Sequence, residues 1–193
     1  ADIGGRQRLI IGYSQVDQSD KALVVYNYEG GTLAKSFTVS YSSFDVADLD
    51  GDDQAELLIL KAAEGEHAAE AAVYVPDAQD HYTRYSLTLQ GKTTEYSQVL
   101  CGNTQGKQTA IYLDGIVGAT TMQTEVSQFD GKKLSYLVPT GSDAVSTIRP
   151  TGWLTMDIDQ DDIPEIPVQG LFPGYQDTDS DLIRMTRWMT VTK

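Results

Sequence analysis

Two stretches of this chain set carboxylates on alternate residues: "DLDGDDQAEL" from Asp48 and "DIDQDDIPEI" from Asp157. Both follow the pattern D-x-D-x-D-D-x-x-E, and both run on into apolar sequence. A hard divalent cation such as Ca2+ takes six to eight oxygens, and a short loop supplies them when alternate side chains curl around one point. On that basis Asp48, Asp50 and Asp52 stand at loop positions one, three and five, with the Gln54 carbonyl at seven and Glu56 at nine. Asp157, Asp159, Asp161, the Ile163 carbonyl and Glu165 take the same roles in the second loop.

A single Asp-rich turn is commonly no more than a solvated loop, so the repetition carries the weight. Paired carboxylates also serve glycosidases, where two groups face each other across a sugar ring. Such pairs need environments that separate their pKa values, whereas five oxygens aimed at one point call for a cation. The EF-hand form does not apply. It needs Gly at position six, Glu at position twelve and a helix on each side. Here position six is Asp53 or Asp162, a residue type that tolerates left-handed backbone, and position twelve is Ile59 or Val168, inside apolar sequence. The setting is strand, loop, strand.

A third alternation, Asp177, Asp179 and Asp181 in "PGYQDTDSDL", meets Met185 where an acid is needed and reads as a plain acidic loop. His67 and His81, the two histidines, lie in polar sequence without a nucleophile or zinc-binding motif around them. "TQGK" at 104–107 and "YEGG" at 28–31 are turns and not phosphate loops. Trp153 and Trp188, with Phe172 and Tyr175, have the aromatic faces that stack on sugars, but such residues more often fill cores. Cys101 is the single cysteine, so neither an internal disulfide nor a cysteine-based zinc site can form within one chain.

The elements that must hold these loops recur along the chain. The two acidic loops start two intervals of roughly 50 residues apart, and such a period marks a repeat array. "CGNTQGKQTAIYL" from Cys101 is an eroded copy between them, without the carboxylates, and "ADIGGRQRLIIGY" aligns as the last half of another, Leu9 against Leu57. Approximate units are 1–44, 45–98, 99–150 and 151–193. "LVVYNYEGGTLAKSF", "AAVYVPDAQDHYTRYSL" and "TEVSQFDGKKLSYL" each read as strand, turn, strand, with turn residues suited to hairpins. "ELLIL" and "RLIIG" are continuous apolar runs, expected in inner strands covered on both faces. The alanine-rich stretch at 60–75 is broken by Gly65 and reads as strand, loop and strand, not helix. The fold class expected is therefore all-β: a β-propeller, or an open part of one, of about four four-stranded antiparallel blades. The array begins inside a repeat and ends in strand-like "MTVTK", so it reads as a fragment of a longer protein.

The acidic loops resemble the calcium-binding β-propeller repeats called FG-GAP or VCBS, whose blades carry D-x-D-G-D-G-x-x-D-L/I ahead of an inner strand. "DLDGDDQAEL" is similar at every ligand position, with Asp53 in place of a glycine and Glu56 in place of the last aspartate. "DIDQDDIPEI" departs further, with Gln160 and Asp162 at the two glycine positions. The resemblance implies an extracellular or cell-surface module, of lipoprotein or adhesin type, in which Ca2+ pins inter-strand loops and any lipid anchor lies outside this chain.

Composition narrows the partners. The 193 residues carry 28 acidic against 14 basic side chains, a net charge of −14, which repels phosphate backbones and makes nucleic acid a poor ligand. No stretch approaches the roughly 18 apolar residues of a membrane helix, so insertion by this chain is not expected. A non-enzymatic, calcium-stabilised module presenting loops to a protein or glycan is the leading expectation; a carbohydrate-active enzyme, or an accessory domain of one, is the alternative.

Overall fold

The structure is a computed structural model and describes residues 1–14, 21–138, 146–176, 178, 180, 181 and 183–192. Among these residues there is no helix, and the chain forms four antiparallel sheets in sequence order. The first holds β1 (Asp2–Ile3), β2 (Arg6–Ser14), β3 (Lys21–Glu29) and β4 (Thr32–Tyr41). The second holds β5 (Ser43–Ala47), β6 (Glu56–Lys61), β7 (Glu70–Pro76) and β8 (Tyr82–Thr88). In the third, β9 (Glu95–Asn103), β10 (Thr109–Gly118), β11 (Thr121–Phe129) and β12 (Leu134–Val138) are joined by the short β13 (Arg149–Pro150), which pairs with the start of β11. The fourth has two strands, β14 (Ile166–Leu171) and β15 (Arg184–Met189), where four had been expected.

The main strands of each sheet pair in chain order as an up-and-down meander. Gly30 and Gly31 both take positive φ between β3 and β4, as a two-residue hairpin of twist-compatible hand requires. The alanine-rich stretch is the end of β6, a loop and then β7, as its Gly65 at positive φ dictates.

Alternation along the strands explains why the sheets stack. In β6, Leu57 and Ile59 point to one face and join Leu23 and Val25 of the first sheet. Leu58 and Leu60 point to the other and join Ile111 and Leu113 of the third. The next step repeats this: Tyr112 and Val126 of the third sheet meet Ile166 and Val168 of the fourth. Each fully buried aliphatic side chain contributes about 1.5–3 kcal/mol. Three sheet-to-sheet apolar layers in chain order are thus the core.

Each junction also carries a polar clamp. Buried Arg8 donates to the Ile3 carbonyl, Asn27 and Tyr82, and pairs with Asp80 at 2.8 Å, tying the first sheet to the β7–β8 turn. Glu125 accepts the Gln90 and Gly91 amides and the Tyr136 hydroxyl, fixing the link between second and third sheets. Asp114 accepts from Arg149, Thr124 and both the amide and hydroxyl of Thr155, which anchors the chain as it leaves the third sheet for the fourth. Removing one partner of a buried charge pair costs about 3–5 kcal/mol.

One expectation changes. "ELLIL" is covered on both faces, but "RLIIG" in β2 is covered on one: Ile10 packs toward the second sheet while Leu9 and Ile11 are exposed. Among the described residues no sheet packs on Leu9 and Ile11.

Candidate metal centres

Each acidic loop joins a strand or bridge to the strand after it. The first runs from β5 to β6; the second runs from Met156, which bridges to Glu165, into β14. The sequence folds them alike because the first aspartate of each captures the turn. Asp48 accepts the Gly51, Asp52 and Asp53 amides at 2.7, 3.2 and 3.0 Å. Asp157 accepts those of Gln160, Asp161 and Asp162 at 2.6, 3.2 and 2.9 Å. At the far end Glu56 accepts the Leu49 amide at 2.8 Å, and Glu165 the Ile158 amide at 2.9 Å. The curl needs left-handed backbone at two positions in each loop, supplied by Gly51 and Asp53 in one and by Gln160 and Asp162 in the other. Outside glycine, such conformations are most readily taken by short polar residues.

This wrapping brings three of the expected side-chain ligands together in each loop. Asp48, Asp50 and Glu56 offer carboxylate oxygens within 4.8 Å of one another, and so do Asp157, Asp159 and Glu165. Both clusters could hold a metal ion. Asp52 and Asp161 are placed differently: each accepts an amide two residues on, of Gln54 at 2.8 Å and of Ile163 at 2.9 Å. Gln54 and Ile163 occupy the matching turn positions, the first exposed and the second half-buried. Of the third acidic stretch, Asp177 and Asp179 lie outside the described residues.

The electrostatics of the first loop fit a cation. Asp50 Oδ1 is shut off from solvent and has no hydrogen-bond donor, an arrangement that costs free energy unless a positive group satisfies it. Burial, then the neighbouring Asp52 and Asp48 charges, raises the Asp50 carboxyl above its ordinary value. Burial pushes Glu56 up to about 7, against the lowering effect of the Leu49 amide, with Asp50, Asp52 and Asp48 adding repulsion. Carboxylates held together against their own repulsion are what a divalent ion stabilises.

Around the first loop the neighbours close in. Leu49 is buried between the second and third sheets. Gly131, in the β11–β12 turn, comes so near that a Cβ there would stand 2.8 Å from Asp50 Oδ2. Ala55 bridges to Ile3 of β1. The contact with Gly131 joins residues far apart in sequence, and no pattern in the chain announces it.

At the opposite end of β6 from the acidic loop, Lys61 borders a cleft of about 800 Å3 where three sheets meet. Tyr41, His67, Arg84, Glu95 and Tyr96 also line it. Arg84 pairs with Glu70, and the Tyr96 hydroxyl donates to the Lys61 carbonyl. Both histidines are exposed, His81 beside Asp77 and His67 in the cleft. Cys101 packs among apolar residues beside Asp45, and burial pushes its thiol up to about 12, which makes it a poor nucleophile.

Compared with known proteins, the chain matches no family model and no curated sequence. The loops therefore speak through their own geometry.

Proposed function

We propose that this chain is an arc of a calcium-binding β-propeller of the FG-GAP or VCBS kind, a non-enzymatic module working outside the cell or at its surface. The observation that carries the calcium reading is Asp50 Oδ1, buried without a donor beside Asp48 and Glu56, in a loop whose geometry recurs at 157–165. Ca2+ is favoured over softer metals because every side chain offered is a carboxylate and no His or Cys is among them. In this account Asp48, Asp50 and Glu56 hold one ion and Asp157, Asp159 and Glu165 the other. The ion neutralises each cluster and staples the strands on either side. Asp48, Glu56, Asp157 and Glu165 are each engaged with backbone amides that fix their oxygens toward the loop centre.

What such a staple would serve is the far end of the sheets, where the cleft beside Lys61 mixes aromatic, cationic and acidic side chains suited to a polar ligand, a glycan or a protein loop. Calorimetric titration tests the proposal. Two calcium ions per chain are expected, one lost in Asp50→Asn and the other in Asp159→Asn. Less than one ion per chain at millimolar calcium would overturn it.

A further inference from the structure

The apolar layer between the first two sheets ends in two lysines. The alternation that sets Leu23 and Val25 of β3 against Leu57 and Ile59 of β6 also directs the next residue of each row, Lys21 and Lys61, into the same gap. Both are exposed where that gap opens into the cleft of about 800 Å3. Among the described residues neither lysine pairs with a carboxylate, although the chain has 28 acidic side chains against 14 basic. Glu70 stands directly opposite Lys61 across β6 and β7, yet it is taken by Arg84 of β8. Two ammonium groups aimed into one gap repel each other, and an anion between them removes that repulsion.

The walls of the cleft are held by the fold itself. The Ser42 amide donates to the Leu60 carbonyl at 2.7 Å, and the Ser42 hydroxyl accepts the Ala62 amide at 2.8 Å. The Ala63 amide donates to the Thr93 carbonyl at 2.7 Å, and the Tyr96 hydroxyl donates to the Lys61 carbonyl at 3.2 Å. Little ordering therefore remains to be done on binding. Glu64 and Glu95 also line the cleft, exposed and, among the described residues, without an ion pair. Lysines and carboxylates left over side by side fit a molecule that brings both an anion and hydroxyl donors. An acidic peptide would meet Glu64 and Glu95 as repulsion; the hydroxyls of a sugar donate to them.

We propose that this cleft binds an acidic glycan, with a uronate carboxylate held between Lys21 and Lys61, hydroxyls donating to Glu64 and Glu95, and a sugar ring against Tyr96. The volume is that of an ordinary small-ligand site. This glycan is the ligand of the non-enzymatic module proposed above, on which reading the assignment rests.

Calorimetric titration of the full chain with trigalacturonate, beside its carboxyl-reduced neutral trimer and a short polyglutamate, tests the assignment. Saturable binding of trigalacturonate alone is expected, weakened at least about 10-fold by Lys21→Met and by Lys61→Met, as loss of a charged hydrogen bond requires. Methionine keeps the apolar stem, and a melt close to the parent shows that each variant is folded; if one unfolds, the other carries the test. Lys35→Met, at an exposed lysine of β4 that does not line the cleft, leaves the affinity unchanged. No binding up to about 5 mM trigalacturonate, equal binding of the neutral trimer, or full affinity in the lysine variants overturns the assignment, as does polyglutamate bound in place of the sugar. Trisaccharide recovered uncut supports the non-enzymatic reading. Sugar bound and then cleaved would overturn that reading and leave the ligand standing.

Discussion

The two acidic loops share a sequence pattern and a hydrogen-bond network but differ in what stands beside them. In the loop at 48–56 the residue after the first aspartate, Leu49, is 1% exposed and locked between two sheets; in the loop at 157–165 its counterpart Ile158 is 46% exposed. Asp50 is crowded by Gly131, whereas Asp159 is exposed. The carboxylate pattern thus sets the curl of a loop, while the neighbouring sheet sets how firmly it is held. The first loop should therefore bind an ion more tightly than the second, because less ordering remains to be done on binding.

The largest effect expected is at the anchors. Leu49→Ala should cost about 2–5 kcal/mol of unfolding free energy and Ile158→Ala less than about 0.5, measured by denaturant melts. Equal losses would erase the contrast. Next come the turn-closing acids. Asp48→Ala and Asp157→Ala each strand three amides, a loss of about 2 kcal/mol in chelator, alike in the two loops because the bonds are alike.

Glu56 is raised in the fold to about 7, so protonation favours the folded state. In chelator its contribution is fully present below the unfolded value near 4.5 and is lost as pH rises through about 7. Melting temperature of the metal-free protein should fall across that window, and Glu56→Gln should flatten the fall. A smaller change than loss of an anchor or a turn-closing acid is Gly131→Ala, which forces a Cβ against Asp50 at a positive φ of 79°. It should cost about 1 kcal/mol and weaken calcium binding several-fold at the first loop alone, read by calorimetry.

Much of this was legible in the chain. The alternating acids announced the loops, and the apolar runs after them announced strands, because both depend on neighbours within ten residues. Which acids converge was less so. Asp52 and Asp161 have the spacing of ligands, but nearby amides engage them, and that depends on backbone direction. The clamps Arg8–Asp80 and Arg149–Asp114 join residues with no local signature. The exposed side of β2 could not be anticipated either, since its residues match those of covered strands.

If calcium staples these loops, the melting temperature must respond to millimolar calcium and then to chelator. At calcium about 100 times the dissociation constant, each site adds about 2.7 kcal/mol, a rise of roughly 5–10 °C for a chain of this size. The predicted result is a rise of that order, reversed by chelator and reduced in Asp50→Asn more than in Asp159→Asn. An unchanged melting temperature, or a rise that survives in the chain carrying both substitutions, would contradict it.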